Sequence, residues 1–149
     1  MTIAVTRGLG ARSVIRGLMA ERAQAARDKN IERIMQDYDD DVVAFEFGAP
    51  LAQRGKEALR HECEQGYAEF PGAVEYEERD VHVTAKGDLG FSHSLEHIAG
   101  TRRDGTRMEM WSRATLCWRR IGGRWLITHQ HLSVPMDGEG GRALLDLKP

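Results

Sequence analysis

The sequence predicts an α+β fold: three N-terminal helices packed on a curved, mainly antiparallel sheet that encloses a cone-shaped pocket. Two observations carry this. Up to Phe70 the apolar residues recur largely at helical spacing, apart from one short continuous run, whereas from Ala73 the period drops to two. Turns at Gly87–Asp88, Asp104–Gly105 and Gly122–Gly123 then divide the second half into successive hairpins, which make an antiparallel meander. A sheet of this kind, covered by helices on one face, leaves a conical cavity between the two layers.

Taken in order, Val14, Ile15, Leu18, Met19, Ala25 and Ala26 fall at helical spacing behind Ser13, a suitable N-cap. Asp28 can cap a second, short helix over 29–38, with Ile31, Ile34, Met35 and Tyr38 on one face. Val42, Val43, Ala44, Phe45 and Phe47 then read as a buried strand ended by Gly48 and Pro50. The third helix lies in QRGKEALRHECEQGYAEF, with Leu59, Cys63, Gly66, Tyr67 and Phe70 along one side and Pro71–Gly72 as its stop. Val74, Tyr76, Val81 and Val83 make the next strand, and a bulge is expected near Glu78–Asp80 because the alternation slips there. Phe91, His93, Leu95, His97 and Ala99 alternate along another. Met108, Met110, Ser112, Ala114, Leu116 and Trp118 form one face of a long strand leading into RWLITHQHLSVP. With no internal repeat or linker, one domain is expected over 13–135, between an N-terminal tail (1–12) and a glycine-rich C-terminal tail (136–149) whose leucines dock on it.

Composition narrows the function. The 149 residues are 41% hydrophobic and 30% charged, an ordinary globular mix, and the net charge of −2 gives no electrostatic footprint for nucleic acid. No apolar run reaches membrane-spanning length. Cys63 and Cys117 lack the number and spacing of a disulfide framework or zinc site, which fits a reducing, cytoplasmic setting. The first 27 residues hold five arginines and one acid, a pattern shared with transit peptides, but the helical spacing of their apolar residues favours a short tail followed by a helix.

Glu46 stands out, a carboxylate inside an apolar strand. Burial of an unpaired charge is costly, so it points to solvent, finds a partner, or sits in a pocket with a raised pKa suited to proton transfer. Arg113 lies on the strand face opposite Ala114. If that face is the cavity, it can grip a carboxylate or enolate oxygen in bidentate fashion; otherwise it is exposed or at a subunit interface. His131 is a further candidate to stabilise developing negative charge, and Arg22 a weaker one. His129 with His131, and His93 with His97, each put two imidazoles on one strand face. No carboxylate joins them at metal-binding spacing, so hydrogen-bonded sheet histidines are expected and no metal. Gln130 would face opposite to His129 and His131 and offer a cavity hydrogen bond. Trp111, Trp118, Trp125, Met108 and Met110 suit core or dimer surface, and Glu75, Glu77 and Glu78 a solvated strand edge.

The strings IERIMQDYDDDVVAFE, RGKEAL and CWRRIGGRWLITHQHLS, in that order, resemble the nuclear-transport-factor-two-like superfamily, close to its SnoaL-like and ketosteroid isomerase-like branches. The last string also resembles a kinase association domain. The resemblance implies a cone-shaped fold with a hydrophobic pocket and cofactor-independent chemistry, and it carries the isomerase's catalytic carboxylate onto Glu46. The isomerase's oxyanion-hole tyrosine falls near Arg22, and its neutral aspartic acid on Leu116 or Cys117, so both donors are lost here. The expected site is therefore Glu46, Arg113 and His131 as catalytic residues, with Arg22, Trp111, Leu116, Cys117, Gln130 and His93 around a hydrophobic, carbonyl-bearing ligand. A non-catalytic binding or association domain is the alternative, and a homodimer through the outer sheet face is expected for either.

Overall fold

Residues 10–149 are described by the computed structural model; the first nine residues of the expected N-terminal tail lie outside them. Helix α1 (Ala11–Arg27) begins two residues before Ser13. Gly10 occupies the cap position and its carbonyl accepts from the Ser13 N–H at 2.9 Å, so Ser13 lies in the first turn rather than at the cap. Lys29 takes a left-handed backbone (φ 51°), ending α1, and the Asn30 N–H returns to the Ala25 carbonyl at 2.8 Å. Helix α2 (Ile31–Met35) is consequently shorter than expected. Asn30, not Asp28, caps it, accepting from the Arg33 N–H at 3.1 Å.

Strand β1 (Tyr38–Phe45), the two-residue β2 (Gln53–Arg54) and helix α3 (Lys56–Ala68) follow, and then the meander: β3 (Val74–Lys86), β4 (Leu89–Thr101), β5 (Arg107–Ile121) and β6 (Arg124–Ser133). The six strands run in the order β2-β1-β6-β5-β4-β3. Only β1 and β6 pair in parallel, which brings Ala44 opposite Gln130. Glycines with positive φ occupy the three expected turns, at Gly87 (61°), Gly105 (84°), and Gly122 and Gly123 (57° and 80°).

The helices cover one face of this sheet. Beneath them Ile15, Met19, Met35, Tyr38, Val42, Leu116, Trp118 and Ile127 form the core. Trp118 is only 1% exposed, and its Nε1 donates to Ser92 Oγ at 3.0 Å. Strand alternation follows from there. Ser112, Ala114 and Leu116 share the inner face with Trp118, and across the ladder they oppose Glu96, Ser94 and Ser92. The inner face of β4 is built from small residues because the helices approach it closely. A Cβ at Gly90 would lie 3.1 Å from Ile15 Cδ1, and one at Gly100 only 2.7 Å from the Phe70 ring.

The β3–β4 register slips between Arg79 and His82, and Asp80 has φ +52°, the expected bulge. It resets the alternation: Val74, Tyr76 and Glu78 face inward before it, Val81, Val83 and Ala85 after it. Glu78 therefore does not join Glu75 and Glu77 on a solvated edge as expected. Met108, Met110, Trp118 and Trp125 lie on the helix-covered side, leaving Trp111 as the tryptophan of the other. The C-terminal tail folds back through a Met136–Ala143 bridge, and Leu147 and Lys148 rest beside Leu95 and Trp111 on that outer face. Among the described residues no helix is long and apolar enough to cross a membrane.

Candidate functional site

Glu46 follows the last residue of β1, and the period of two carries it to the same inner side as Val42 and Ala44. Since Ala44 pairs with Gln130, the two polar side chains meet: Gln130 Nε2 donates to Glu46 Oε1 at 2.7 Å. The Gln130 oxygen in turn accepts from the Tyr38 hydroxyl. Tyr38 accepts from Arg22 Nη2 at 2.9 Å, and Arg22 Nη1 is anchored on the Ile34 carbonyl at 3.0 Å. Because a guanidinium only donates, every proton in the chain Arg22–Tyr38–Gln130–Glu46 points one way. Glu46 Oε1 is thereby fixed as an acceptor, and among the described residues no hydrogen bond engages Oε2.

Burial works against this arrangement. It pushes the Glu46 carboxyl up to about 7, with the nearby carboxylates of Glu62 and Glu96 adding to the rise and the Gln130 hydrogen bond opposing it. Tyr38 is likewise pushed up to about 12 by burial, partly offset by Arg22, so it stays protonated and can keep donating. A carboxyl brought near neutrality by burial, with one oxygen held by Gln130 and the other without a hydrogen bond among the described residues, can both take and return a proton.

A second polar group lines the same interior. Glu78 and Glu96 are cross-strand partners, and the Tyr76 hydroxyl lies 3.4 Å from Glu78 Oε1. Burial and the neighbouring Glu78 push Glu96 up to about 7, and burial raises Glu78 as well. Beside them a cleft of about 250 Å3 opens between α3 and the sheet, walled by Cys63, Gly66, Tyr67, Phe70, Ile98, Met108 and Met110. Burial pushes the Cys63 thiol up to about 11, Arg22 lowering it and Glu46 raising it; Tyr67 is raised by burial as well, and feels Arg22 and Glu96. A larger cleft of about 490 Å3 runs along α3 past Gln53, His61 and Glu62.

Of the expected site residues, the structure brings together Glu46, Gln130 and Arg22, with Leu116 buried beside Gln130. Arg113, His131, His93, Trp111 and Cys117 lie on the opposite face, because Ala114 and Leu116 point toward the helices and the odd-numbered residues of β5 away from them. There Arg113 Nε donates to Ser133 Oγ at 3.1 Å, and His131 packs edge-on to Phe45 with ring centres 5.5 Å apart. His93 stacks on His82 at 5.1 Å, and Trp111 sits between His97 and Arg79. Among the described residues no three His, Cys, Asp or Glu side chains are grouped to hold a metal ion. Sequence reasoning missed Tyr38, Tyr76, Glu78 and Glu96. The signal for Glu96 was present in β4, where Gly90, Ser92, Ser94 and Gly100 mark the face that a helix approaches, and Glu96 lies in phase with them.

Helices closing one face of a curved sheet, over an interior where a hydrogen-bonded chain ends on a buried carboxyl, define a cone-like α+β protein. The SnoaL-like domain family matches residues 15–137, and the chain belongs to that family. It is similar to an NTF2-like protein of unknown function from Pseudomonas putida KT2440, at 36% identity over 95% of this chain and 100% of that one, with a TM-score of 0.85. A ketosteroid isomerase-like protein from Erwinia carotovora atroseptica shares the fold at 22% identity, over 82% of this chain and 94% of that one (TM-score 0.70). So does an NTF2-like protein with a cystatin-like fold from Novosphingobium aromaticivorans, at 18% identity over 87% and 84% of the two chains (TM-score 0.71). Comparison with curated proteins finds no match.

Proposed function

We propose that this SnoaL-like protein binds a hydrophobic, carbonyl-bearing small molecule in its inner pocket and moves a proton on it with Glu46, without a cofactor. The observation that supports this is the one-way chain Arg22–Tyr38–Gln130–Glu46, which fixes the carboxyl while burial brings it near neutrality. Such a group abstracts a proton from carbon next to a carbonyl and delivers it to a second position, as isomerisation or dehydration requires. Gln130, Tyr38 and Arg22 act through Glu46 and are positioning residues. The outer-face Arg113 and His131 have no part in this reading.

Proton transfer is measurable before the natural substrate is known. The protein is incubated with a panel of small cyclic ketones in D2O, and exchange of the protons next to the carbonyl is followed by NMR. Wild type is expected to accelerate exchange with an apparent pKa near 7 for the required base, and Glu46→Gln to lower the rate at least about 100-fold with the fold intact. Binding with no exchange above the buffer rate would leave the non-catalytic binding domain as the function, and equal exchange by the variant would remove Glu46 as the base.

We also propose a homodimer formed through the outer sheet face, where Phe45 (38% exposed) and Phe91 (47%) lie among His93, His129 and His131. Sedimentation at micromolar concentration is expected to give twice the 16.7 kDa chain mass. A monomer would remove the idea.

A further inference from the structure

Three carboxyl groups, those of Glu46, Glu78 and Glu96, face the interior. Arg22 is the guanidinium within it; it donates to the Ile34 carbonyl and the Tyr38 hydroxyl, and its charge reaches Glu78 and Glu96 only through space, opposing the rise that burial causes. The Arg27 guanidinium, farther along α1, is used by the Tyr76 carbonyl at 3.1 Å and by Gln24. Among the described residues no Lys, Arg or His nitrogen lies within 4.0 Å of a Glu78 or Glu96 oxygen, while both acids sit opposite one another across the β3–β4 ladder. Two opposed carboxyls without a direct counter-ion are costly in such a place.

An independent feature points to the same spot. Ser94 is 6% exposed, lies on the inner face of β4, and its Oγ has no hydrogen-bond partner among the described residues. Its neighbour on that face, Ser92, is used by Trp118, so the inner serines are not generally unpaired. Leaving a buried hydroxyl unmade costs about 1–3 kcal/mol. Ser94 is two residues from Glu96 along the same face, about 7 Å between Cα atoms. One ammonium group can therefore reach a Glu96 oxygen and Ser94 Oγ together, with Glu78 completing the set from the next strand. Tyr76 and Tyr67 add aromatic surface that attracts a cation. The cleft of Phe70, Ile98, Met108 and Met110 beside them accepts an apolar body.

We infer that the ligand of the inner pocket carries a protonated amine, held by Glu78, Glu96 and Ser94, on a hydrophobic frame seated against α3. The inference rests on the proposed reading of the inner face as the binding site, but not on Glu46 acting as a base. A neutral ligand of the same shape would leave the two acids without a direct ion pair, so the pair supplies selectivity for amines.

The test uses 2-phenylethylammonium and its neutral isostere 2-phenylethanol as probes, with the full-length protein at pH 8. Calorimetric Kd values and 15N–1H shifts at Ser94, Glu96 and Ile98 are read for each. The cation is expected to bind at least tenfold more tightly than the alcohol and to shift those three amides. Glu78→Gln/Glu96→Gln should abolish the preference, and Ser94→Ala should weaken the cation at least threefold while leaving the alcohol unchanged. Glu46→Gln should keep the preference even where it loses proton exchange, so the two readings fail separately. Equal affinity for both probes, no binding of the cation at millimolar concentration, or a preference that survives the double variant would overturn the inference. Should the double variant not fold, the Ser94→Ala result decides.

Discussion

Trp118→Ala should lower the unfolding free energy by about 3–5 kcal/mol, the loss expected when a large buried aromatic is truncated and the core closes only in part. Trp118 is 1% exposed and packs among Ile15, Met19, Leu116 and Ile127, where α1 meets the centre of the sheet. Its loss also strands Ser92 Oγ, which receives the indole N–H. Trp118→Phe keeps much of the ring and removes the donor, so its cost should be markedly smaller. Urea unfolding followed by circular dichroism measures both, and a Trp118→Ala variant within 1 kcal/mol of wild type would contradict the packing described here.

Glu96→Gln should act in the opposite direction, and only at high pH. Glu96 is raised from an ordinary 4.5 to about 7 by burial and by Glu78, so the folded protein retains a proton that the unfolded chain has already released. Stability from this group is fully present below pH 4.5 and is lost as pH rises through 7. At 1.36 kcal/mol per unit the loss is on the order of 3 kcal/mol by pH 8. The glutamine does not titrate, so the variant should match wild type at pH 4 and exceed it at pH 8. Thermal unfolding across that range gives the crossover. A variant less stable than wild type at pH 8 would show that ionised Glu96 is instead a stabilising partner.

Both results bear on how the site is encoded. The order of helices and strands, the three hairpin turns and the bulge near Asp80 were legible because each rests on a local rule: helical or two-residue periodicity, glycine at positive φ, a slip in alternation. Glu46 was legible as an acid out of place in an apolar run, and Gln130 as a residue facing opposite to its flanking histidines. Arg113 and His131 were misplaced because alternation says that two faces differ without saying which one the helices cover. The inner face of β4 looked the less buried of its two sides by hydropathy, since serine and glycine there make room for α1 and α3.

The sequence by itself therefore determined the fold class, the family and Glu46 as a carboxylate out of place in its strand. Its rules act between near neighbours, and those features need nothing longer. The tertiary structure alone decided what the carboxylate meets. The parallel pairing of β1 with β6 brings Gln130 to Glu46 across 84 positions and Tyr38 to Gln130 across 92, and the β3–β4 register sets Glu78 against Glu96. Hydrogen-bond register between strands distant in the chain made those contacts, and no local pattern specifies it.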